Sequence, residues 1–553
     1  MTSVRIVRDA RKVGKAYVSL DGFNATIDCT GDLCLAIEGL EADYPNYGQE
    51  VSLTGGLRSM SRGVPATHHD IYRLDEFGYL MLLNDDARTT TLELDVEQVI
   101  DLLKARQANS SSSSVDEFAS FTRDLEGTYV GTSLMMSQLA GSSFRESATF
   151  APAEDVLLVI GPPRCGKTTG IINPNIAFAN GPVVSTSTKS DVLEATGMIR
   201  QNRGQVWVYD PTGKTPIPEY AKRVNWTPIH ECDSWDATRA IAADLMDTQD
   251  EPGTMTNQSF WTGRGKALLA PLLRLAYLRG AGMHSVVASL GSEAFQYAST
   301  ELRVMGEESA ANLLDQLERA GGETLGSISN TAAGCLDAWA GDDPGISEAP
   351  FDMDQFIRST DTVYVVGSGF DQAAIAPAIA SFVGALARRT YDHWHRGDPR
   401  VLFALDEVAN IAPIGTLPAI MSEGGGQGIQ LILCFQDYSQ IRRRWPKDAD
   451  GFNTLARNIL VFAGVRDIQT LTTLSALTGE SHAYTISHHL APNAESRILN
   501  PLSSPALSPE MISGLSVSVG DDFRALLFDA DGWTLQQIPA VFSMHDLAQR
   551  IRS

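Results

Sequence analysis

The chain has 553 residues, of which 43% are hydrophobic, so it is too long for one core and should divide into about three or four globular pieces. Its 67 acidic and 43 basic residues give a formal net charge of -24, so bulk electrostatics would repel a polyphosphate such as nucleic acid. Any contact with nucleic acid must therefore be local, through a few basic residues and backbone groups lining a pore.

Cysteine usage and hydropathy indicate a cytoplasmic protein. The cysteines lack the paired spacing of a metal site, which favours free thiols in a reducing compartment; they are Cys29, Cys34, Cys165, Cys232, Cys335 and Cys434. No run of residues reaches the roughly 18 to 20 apolar positions of a membrane span, so we expect no signal peptide and no transmembrane anchor. The histidines show no ligand spacing, and we expect the pair His488-His489 to lie in a solvated loop.

The first 108 residues predict a small β-rich or α+β domain. Short alternating segments such as Tyr17–Leu20 and Tyr79–Leu83 indicate strands, and Val96–Arg106 has the pattern of an amphipathic helix. The five serines Ser110–Ser114 have the composition of a flexible connection. We therefore place a domain boundary there and interpret residues 109–149 as a linker and lead-in.

From about residue 150, apolar strands alternate with helices, which predicts an α/β fold with a parallel sheet covered on both faces. Between Tyr209 and Val363 the alternation lapses, and residues 236–345 have the pattern of an inserted all-α domain, with helices such as Ala237–Met246 and Trp261–Leu278. The sheet domain then comprises residues 150–235 and 346–553. Its predicted strands are Val156–Ile160, Val183–Ser187, Val206–Tyr209, Val363–Val366, Leu402–Leu405, Leu431–Phe435 and Leu460–Ala463.

A phosphate-binding loop follows the first of these strands. Residues 161–168 fit the pattern G-x-x-x-x-G-K-[ST], in which backbone N–H groups and the helix dipole surround phosphate oxygens. Lys167 should bridge the β and γ phosphates of ATP, and the Thr168 hydroxyl should bind Mg²⁺. The alternative is a glycine-rich turn with a chance lysine. The predicted nucleotide-binding residues are Gly161, Pro162, Pro163, Arg164, Cys165, Gly166, Lys167, Thr168 and Thr169.

Two further strands end in residues suited to phosphate chemistry. The strand ending at Leu405 is followed by Asp406, which we assign to Mg²⁺, and by Glu407, which we assign to the attacking water. The next strand delivers Gln436 at its carboxyl end, where it could sense the γ-phosphate. The predicted catalytic residues are therefore Lys167, Glu407 and Gln436. The alternatives are a solvated strand-to-helix junction for the acidic pair and an ordinary polar strand end for Gln436.

From about residue 150 onward, the sequence resembles the TraG/TraD-type coupling proteins of conjugation and type IV secretion. Besides the phosphate loop, the similar segments occur in the same order along the chain, which makes the combination more specific than any one segment. They are Asn173-Pro174, Val183–Asp191, Val208–Gly213 with Asn225–Pro228, Leu405–Asn410 with Ile414–Pro418, and Gly428–Gln436.

This resemblance implies a RecA-like P-loop NTPase motor domain, an inserted all-α domain that contacts DNA or substrate-processing partners, and a homo-hexameric ring around a central pore. The implied cargo is DNA, single-stranded and carried with its relaxase, or protein. The implied membrane partners are subunits of the secretion channel. Because the family's N-terminal transmembrane segments are not found in the sequence, we expect a protein held at the inner face of the cell membrane through a partner, with the N-terminal domain as the docking element.

Two further departures from the family concern the site. Gly425 stands where the family often has an arginine that reaches the nucleotide of a neighbouring subunit, and Ser185–Lys189 lacks the Asp-Pro often found before the lysine. An arginine of that kind is worth about 10³ to 10⁵ in rate. Each possible substitute could equally cover a helix face or pair with an acid; the substitutes are Arg442, Arg443, Arg444 and Arg457.

Three functions fit these features. The first is a DNA-translocating ATPase that couples a relaxase-bound strand to a secretion channel. The second is a recruitment platform that binds ATP mainly to stabilise a ring and selects cargo through the helical insert, with little turnover. The third is a double-strand DNA pump of the cell-division type, which the sequence after Asp406 fits less well.

Overall fold

The computed structural model divides the chain into two compact units, Met1–Phe121 and Thr122–Ser553. The segments predicted as the helix Val96–Arg106 and the linker Ser110–Ser114 lie outside the described residues. Among the described residues, no helix combines the length and the hydropathy needed to cross a bilayer. The structure describes short strands between residues 3 and 95 and then residues 127–136, 144–248, 258–290, 294–319, 321–340, 350–367, 372–491, 494–515, 518–519 and 522–539.

The first unit contains one sheet in the order β5-β7-β8-β4-β3-β2-β1-β9-β6. The pairings between these strands are antiparallel. The predicted strands Tyr17–Leu20 and Tyr79–Leu83 correspond to β2 and β8. The strands are β1 (Ser3–Arg8), β2 (Lys15–Leu20), β3 (Phe23–Thr30), β4 (Asp32–Leu35), β5 (Glu50–Val51), β6 (Arg58–Ser59), β7 (Tyr72–Leu74), β8 (Leu80–Leu82) and β9 (Thr90–Asp95).

The second unit is built on a sheet in the order β11-β10-β24-β23-β19-β12-β18-β17-β13-β16-β14-β15, with β22 beside β23. The run from β19 to β15 is parallel, and β23, β24, β10 and β11 extend it as antiparallel strands. The strands are β10 (Thr128–Met136), β11 (Phe144–Ala151), β12 (Leu157–Ile160), β13 (Val183–Ser187), β14 (Val206–Tyr209), β15 (Ala221–Arg223), β16 (Thr362–Val366), β17 (Val401–Leu405), β18 (Ile429–Phe435), β19 (Asn458–Phe462), β20 (Glu480–Ala491), β21 (Ala494–Pro505), β22 (Ser518–Val519), β23 (Asp522–Asp529) and β24 (Gly532–Pro539).

Most residues of the parallel strands β12, β14, β16, β17, β18 and β19 are apolar because helices cover both faces of the sheet. In β12, Leu158 and Ile160 pack into the core on one face, whereas Leu157 and Val159 pack into the core on the other. Every residue of β12, β13, β16, β17 and β19 is buried. The strands predicted from the sequence are confirmed, with ends that differ by at most two residues.

The helices between β15 and β16 interrupt the alternation, as the sequence predicts. We call α3 to α8 the helical insert; the Ser234 hydroxyl begins it by accepting a hydrogen bond from the Ala237 N–H. The helices are α1 (Asn173–Phe178), α2 (Asp191–Gln201), α3 (Trp235–Asp247), α4 (Gln258–Arg279), α5 (Met283–Ala288), α6 (Ala294–Val304), α7 (Glu308–Glu318), α8 (Gly322–Ala333), α9 (Met353–Phe356), α10 (Gln372–His393), α11 (Val408–Ile411), α12 (Leu417–Glu423), α13 (Tyr438–Arg444), α14 (Phe452–Leu455), α15 (Ile468–Leu477) and α16 (Pro509–Ser513).

The C-terminal strands return to the sheet. Residues 522–529 form β23, which pairs with β19. The prediction for His488-His489 is wrong, because both residues lie in β20, which forms a two-stranded antiparallel hairpin with β21. The histidine pair carries no turn residue, so nothing in the local sequence required a loop there.

A fully buried arginine fastens α2 to the sheet. Arg200 donates from Nε to the Thr362 hydroxyl at 2.7 Å and from Nη2 to the carbonyls of Gly181 and Thr360 at 2.9 Å each. It also donates to the Ala179 carbonyl. Burial lowers the pKa of Arg200 to about 10, which is still well above neutral pH. The guanidinium therefore stays charged, and its several N–H groups serve several backbone acceptors at once.

Replacing this arginine should destabilise the second unit. We expect Arg200→Met to lower the free energy of unfolding by roughly 3 kcal/mol, because several buried acceptors lose their donor. Chemical and thermal denaturation monitored by circular dichroism measures the change. Arg223→Met, on the exposed side of the edge strand β15, is the matched control and should be close to neutral. Equal stability of the two variants would contradict this account of Arg200.

Candidate functional site

The strand order brings the predicted site residues to one end of the sheet. β18 lies between β12 and β17 and is parallel to both, so the phosphate loop, Gln436 and the pair Asp406-Glu407 all follow carboxyl ends of neighbouring strands. Ligands of open α/β sheets bind at this end of the strands. The Gly161 N–H donates to the Phe435 carbonyl at 3.1 Å, which fixes the start of the loop beside the end of β18.

The phosphate loop turns sharply and runs directly into a helix. Arg164 and Gly166 have left-handed φ angles of 63° and 95°, and a π-helical turn over Thr168–Ile172 leads into α1. The Lys167 ammonium lies inside the loop, where it donates to the carbonyls of Gly161 at 2.5 Å and Pro162 at 3.0 Å. Only 8% of Lys167 is exposed, so the loop holds its positive charge at a defined place.

Two glycines of the loop are required by close packing. A Cβ on Gly161 would lie 2.6 Å from the Cys165 sulfur. A Cβ on Gly166 would overlap the ring of Phe523, at the start of β23. The C-terminal strands therefore pack directly onto the phosphate loop. The Cys165 thiol lies 4.0 Å from the Lys167 Nζ, and burial raises its pKa above the ordinary value.

The acidic strand end contacts the loop through one short hydrogen bond. The Thr168 hydroxyl donates to Oδ2 of Asp406 at 2.6 Å, and the Thr186 hydroxyl donates to the Asp406 backbone carbonyl at 2.9 Å. Burial raises the pKa of the Asp406 carboxyl, whereas the Thr168 hydrogen bond and the Lys167 charge act in the opposite direction. A carboxylate in such a place is energetically costly unless a cation or a donor compensates it.

Glu407 follows Asp406 in a left-handed backbone conformation, with φ of 50°. This conformation is uncommon for a residue with a side chain and marks a constrained position. Its N–H donates to Oδ1 of Asp406 at 3.1 Å, and Oε2 of its carboxylate accepts from the Asn410 amide at 3.4 Å. Gln436 is half-buried, and its backbone N–H donates to the Gln440 side chain at 2.8 Å. The structure thus brings Thr168 into contact with Asp406, whose carboxyl also senses the Lys167 charge, whereas no hydrogen bond joins Glu407 or Gln436 to the phosphate loop among the described residues.

The other predicted loop residues are arranged around this contact. Pro163 and Arg164 are exposed, and the Thr169 hydroxyl donates to the Gly166 carbonyl at 3.4 Å. Thr186, Asn410 and Phe523 are site residues that were not predicted from the sequence. Only Asn410 had a local signal, since it lies three residues after Glu407 on the following helical turn. Thr186 and Phe523 reach the site through strand pairing, which a sequence pattern does not contain.

The arginines proposed as substitutes for the trans arginine have partners within this chain. Arg442 pairs with Asp467 at 3.0 Å, and Arg457 pairs with Asp155 at 3.4 Å. Arg444 donates to two backbone carbonyls. Arg443 is exposed, and within the described part of the chain no hydrogen bond or ion pair engages it. Three of the four side chains are therefore used in local packing.

Position 425 has no room for a side chain. A Cβ on Gly425 would overlap the Glu154 carbonyl oxygen and lie 3.0 Å from the Glu154 carbonyl carbon. Arg400 contacts both residues, since its guanidinium donates to the Gly425 carbonyl and pairs with the Glu154 carboxylate. Gly425 precedes β18, so it lies at the amino end of the parallel strands, away from the phosphate loop of the same chain.

Residues 113–491 match the family model described as Type IV secretory system Conjugative DNA transfer. The chain belongs to this family. The resemblance seen in the sequence is therefore confirmed. Protein VirD4 of Rhizobium radiobacter is 24% identical over 348 residues, which are 58% of this chain and 48% of that protein. Protein VirD4 of Rhizobium rhizogenes is 23% identical over 383 residues, which are 64% of this chain and 54% of that protein. The chain thus spans about half the length of these relatives of the conjugative DNA transfer family.

Solved structures of the conjugative coupling protein TrwB share the fold of this family member. The unbound form, TrwBdeltaN70, aligns with a TM-score of 0.56 and 15% identity, covering 77% of this chain and 91% of that solved chain. The complex with the non-hydrolysable analogue ADPNP aligns with a TM-score of 0.54 and 14% identity, covering 76% of this chain and 95% of the solved chain. The complex with ADP and Mg²⁺ aligns with a TM-score of 0.54 and 15% identity, again covering 76% of this chain and 95% of the solved chain. The predicted RecA-like α/β fold is therefore confirmed.

A methyl group at position 425 should be costly, because it meets a backbone carbonyl rather than a flexible side chain. We expect Gly425→Ala to lower the free energy of unfolding by roughly 1 to 3 kcal/mol, and Gly425→Arg to lower it at least as much. Gly426→Ala is the matched control, since nothing lies within 4 Å of its Cβ position. Thermal denaturation compares the three variants. A Gly425→Ala protein as stable as Gly426→Ala would show that the backbone yields easily at this position.

Proposed function

We propose that the chain is an ATP-dependent coupling protein that recruits DNA or a nucleoprotein and drives it toward a type IV secretion or conjugation channel. The observation that carries the proposal is the 2.6 Å contact between Thr168 of the phosphate loop and Asp406 of the neighbouring acidic strand end. That contact places a hydroxyl and a carboxylate beside the buried Lys167 ammonium. Membership of the conjugative DNA transfer family supports the choice of cargo.

The residues of the site fit Mg²⁺ and a nucleotide triphosphate. Thr168 and Asp406 offer hard oxygen ligands, the type that Mg²⁺ takes in phosphoryl-transfer sites alongside water and phosphate oxygens. The costly burial of the Asp406 carboxylate is consistent with a cation as its partner. TrwB, which shares the fold, has been solved with ADPNP and with ADP and Mg²⁺. Bound Mg²⁺ would neutralise charge that develops on the phosphates.

In this proposal the chain's own groups position the phosphates and the water. The Lys167 ammonium exchanges its carbonyl acceptors, Gly161 and Pro162, for β- and γ-phosphate oxygens. N–H groups of the loop residues from Arg164 to Thr169 surround the same oxygens at the start of the helix. One Glu407 Oε atom accepts a proton from the attacking water, while Asn410 holds the carboxylate. Gln436 contacts the γ-phosphate from the end of β18.

ATP turnover should depend on two of these residues in different ways. We expect Lys167→Ala to lose both nucleotide binding and hydrolysis, since the loop loses its cation. We expect Glu407→Gln to keep Mg-ATP binding while hydrolysis falls by about 10² to 10⁴, the usual contribution of a general base. Steady-state phosphate release and nucleotide titration measure the two effects. Arg223→Ala, on the exposed edge strand, is the control.

The same assay separates the motor from the alternative of a recruitment platform. A motor requires hydrolysis that single- or double-stranded DNA stimulates in the wild-type chain. A platform binds Mg-ATP and protein cargo with little turnover under either DNA. Gly425 favours the platform, because the resemblance implies an arginine at this position that reaches a neighbouring nucleotide, and the nearby Arg400 is engaged with Glu154. Hydrolysis that survives Lys167→Ala would contradict both readings of the site.

We further propose that the active form is a homo-hexameric ring, and that the Met1–Phe121 unit docks on a membrane subunit of the channel. The ring is what the resemblance to the family implies, and the docking role is supported by the division of the chain into this compact unit and a second one. Deletion of residues 1–108 should release the protein from membranes of cells that contain the channel, measured by membrane sedimentation. Full-length Lys167→Ala should remain bound. Unchanged sedimentation of the deletion variant would rule out this docking role.

A further inference from the structure

The segment that follows the acidic pair lies between the helical insert and α13. Arg444, the last residue of α13, reaches both neighbours. Its Nε donates to the Ala409 carbonyl at 3.0 Å, and its Nη1 donates to the Thr248 carbonyl at 3.2 Å. Ala409 belongs to α11, directly after Glu407, and Thr248 closes α3 of the helical insert. One guanidinium therefore joins three segments that are far apart in the sequence.

A second contact brings the insert against the same segment. A Cβ on Gly415 would lie 2.5 Å from Oδ2 of Asp247, so the backbone there passes directly over this carboxylate. Asp247 ends α3 and is paired with Lys266 of α4. The absence of a side chain at Gly415 allows the approach. The end of α3 thus contacts residues on both sides of the turn that leads away from Glu407.

Two further contacts hold α13 and the insert helix α3 in place beside this segment. The indole N–H of Trp445 donates to the Ile414 carbonyl at 3.0 Å, and Trp445 is buried. Asp244 of α3 pairs with Arg388 of α10 at 2.7 Å. Burial of Asp244 is nearly complete, so this pair ties the insert to the sheet domain in a water-poor environment. The segment 408–416 is therefore held from the insert on one side and from α13 on the other.

From these contacts we infer that Arg444 is a positioning residue for Glu407 and couples the helical insert to the acidic pair. The inference rests on the proposed hydrolysis at this site and adds a route for its regulation. Glu407 precedes α11, and Asn410 of that helix holds its carboxylate. A shift of α3 that carries the Thr248 carbonyl moves Arg444 and Ala409, and with them the carboxylate that activates water. A ligand that binds the insert can change turnover in this way without touching the phosphate loop.

Arginine suits this role because its planar guanidinium donates from two separate nitrogens in fixed directions. A lysine has a single nitrogen and cannot span the carbonyls of Ala409 and Thr248 with the same geometry. A glutamine is too short to reach both. The adjacent Arg443 is exposed and has no partner within the described part of the chain, so it offers a control with the same charge on the same helix.

The test compares Arg444→Gln, Arg444→Lys and Arg443→Gln in the full chain. We expect Arg444→Gln to lower kcat by about tenfold to a hundredfold, the usual effect of misplacing a catalytic group by about an ångström. The Kd for Mg-ATP should stay within about twofold, because the phosphate loop is untouched. Arg444→Lys should recover part of kcat, and Arg443→Gln should match the wild type.

A variant on the insert side completes the test. Asp247→Asn should also lower kcat at unchanged Kd, and its effect should be non-additive with that of Arg444→Gln, because both act on segment 408–416. Arg444→Gln with normal kcat would overturn the inference. A rise in Kd and a fall in thermal stability that accompany the fall in kcat would also overturn it, since Arg444 would then be only a structural residue.

Hydrogen exchange keeps the inference testable if the wild type has no measurable turnover, an outcome that would count against the proposed hydrolysis itself. Amides of residues 408–416 should exchange faster in Arg444→Gln than in Arg443→Gln, while amides of residues 161–169 remain unchanged. Equal exchange of residues 408–416 in the two variants would show that Arg444 does not hold this segment.

Discussion

The hydrogen bond from Thr168 to Asp406 joins residues that are 238 positions apart, and the architecture of the second unit makes it possible. It forms only if β12 and β17 are parallel and separated by one strand, with their carboxyl ends level. The register of β18 with both neighbours meets that condition. Every residue of β12 and β17 is buried, and this burial helps to keep the register. A slip of one residue would move each side chain to the opposite face of the sheet, where it would not fit the packing.

Features encoded by neighbouring residues could be predicted from the sequence. The buried strands have continuous apolar runs, and the phosphate loop has its glycines, lysine and threonine within eight positions. The helices of the insert follow from periodicity, so the predicted Trp261–Leu278 lies within α4. The acidic pair could be assigned because it directly follows a recognisable strand. Each of these predictions depended on local pattern alone.

Features that depend on strand order or on contacts distant in sequence could not be predicted. Phe523 packs on Gly166 because β23 is antiparallel to β19. The residues next to Phe523 and Gly166 in the sequence carry no pattern that indicates this strand pairing. The arginines after Gln436 looked equivalent in the sequence, yet Arg442 and Arg444 are committed to different partners and Arg443 to none within the described chain. Gly425 resembled a simple loss of an arginine, whereas the Glu154 backbone leaves no space there for any side chain.

The helical insert begins after the edge strand β15 and returns to β16, so neither of its connections runs through β19, β12, β18 or β17. Its length and surface can therefore diverge without disturbing the strands that carry the phosphate loop and the acidic pair. The exceptions lie on α3, where Asp244 pairs with Arg388 of α10 and where Asp247 and Thr248 contact the segment after Glu407. A chimaera that exchanges the insert between relatives must keep these contacts, whereas the remainder of the insert can vary without disturbing the strands at the site.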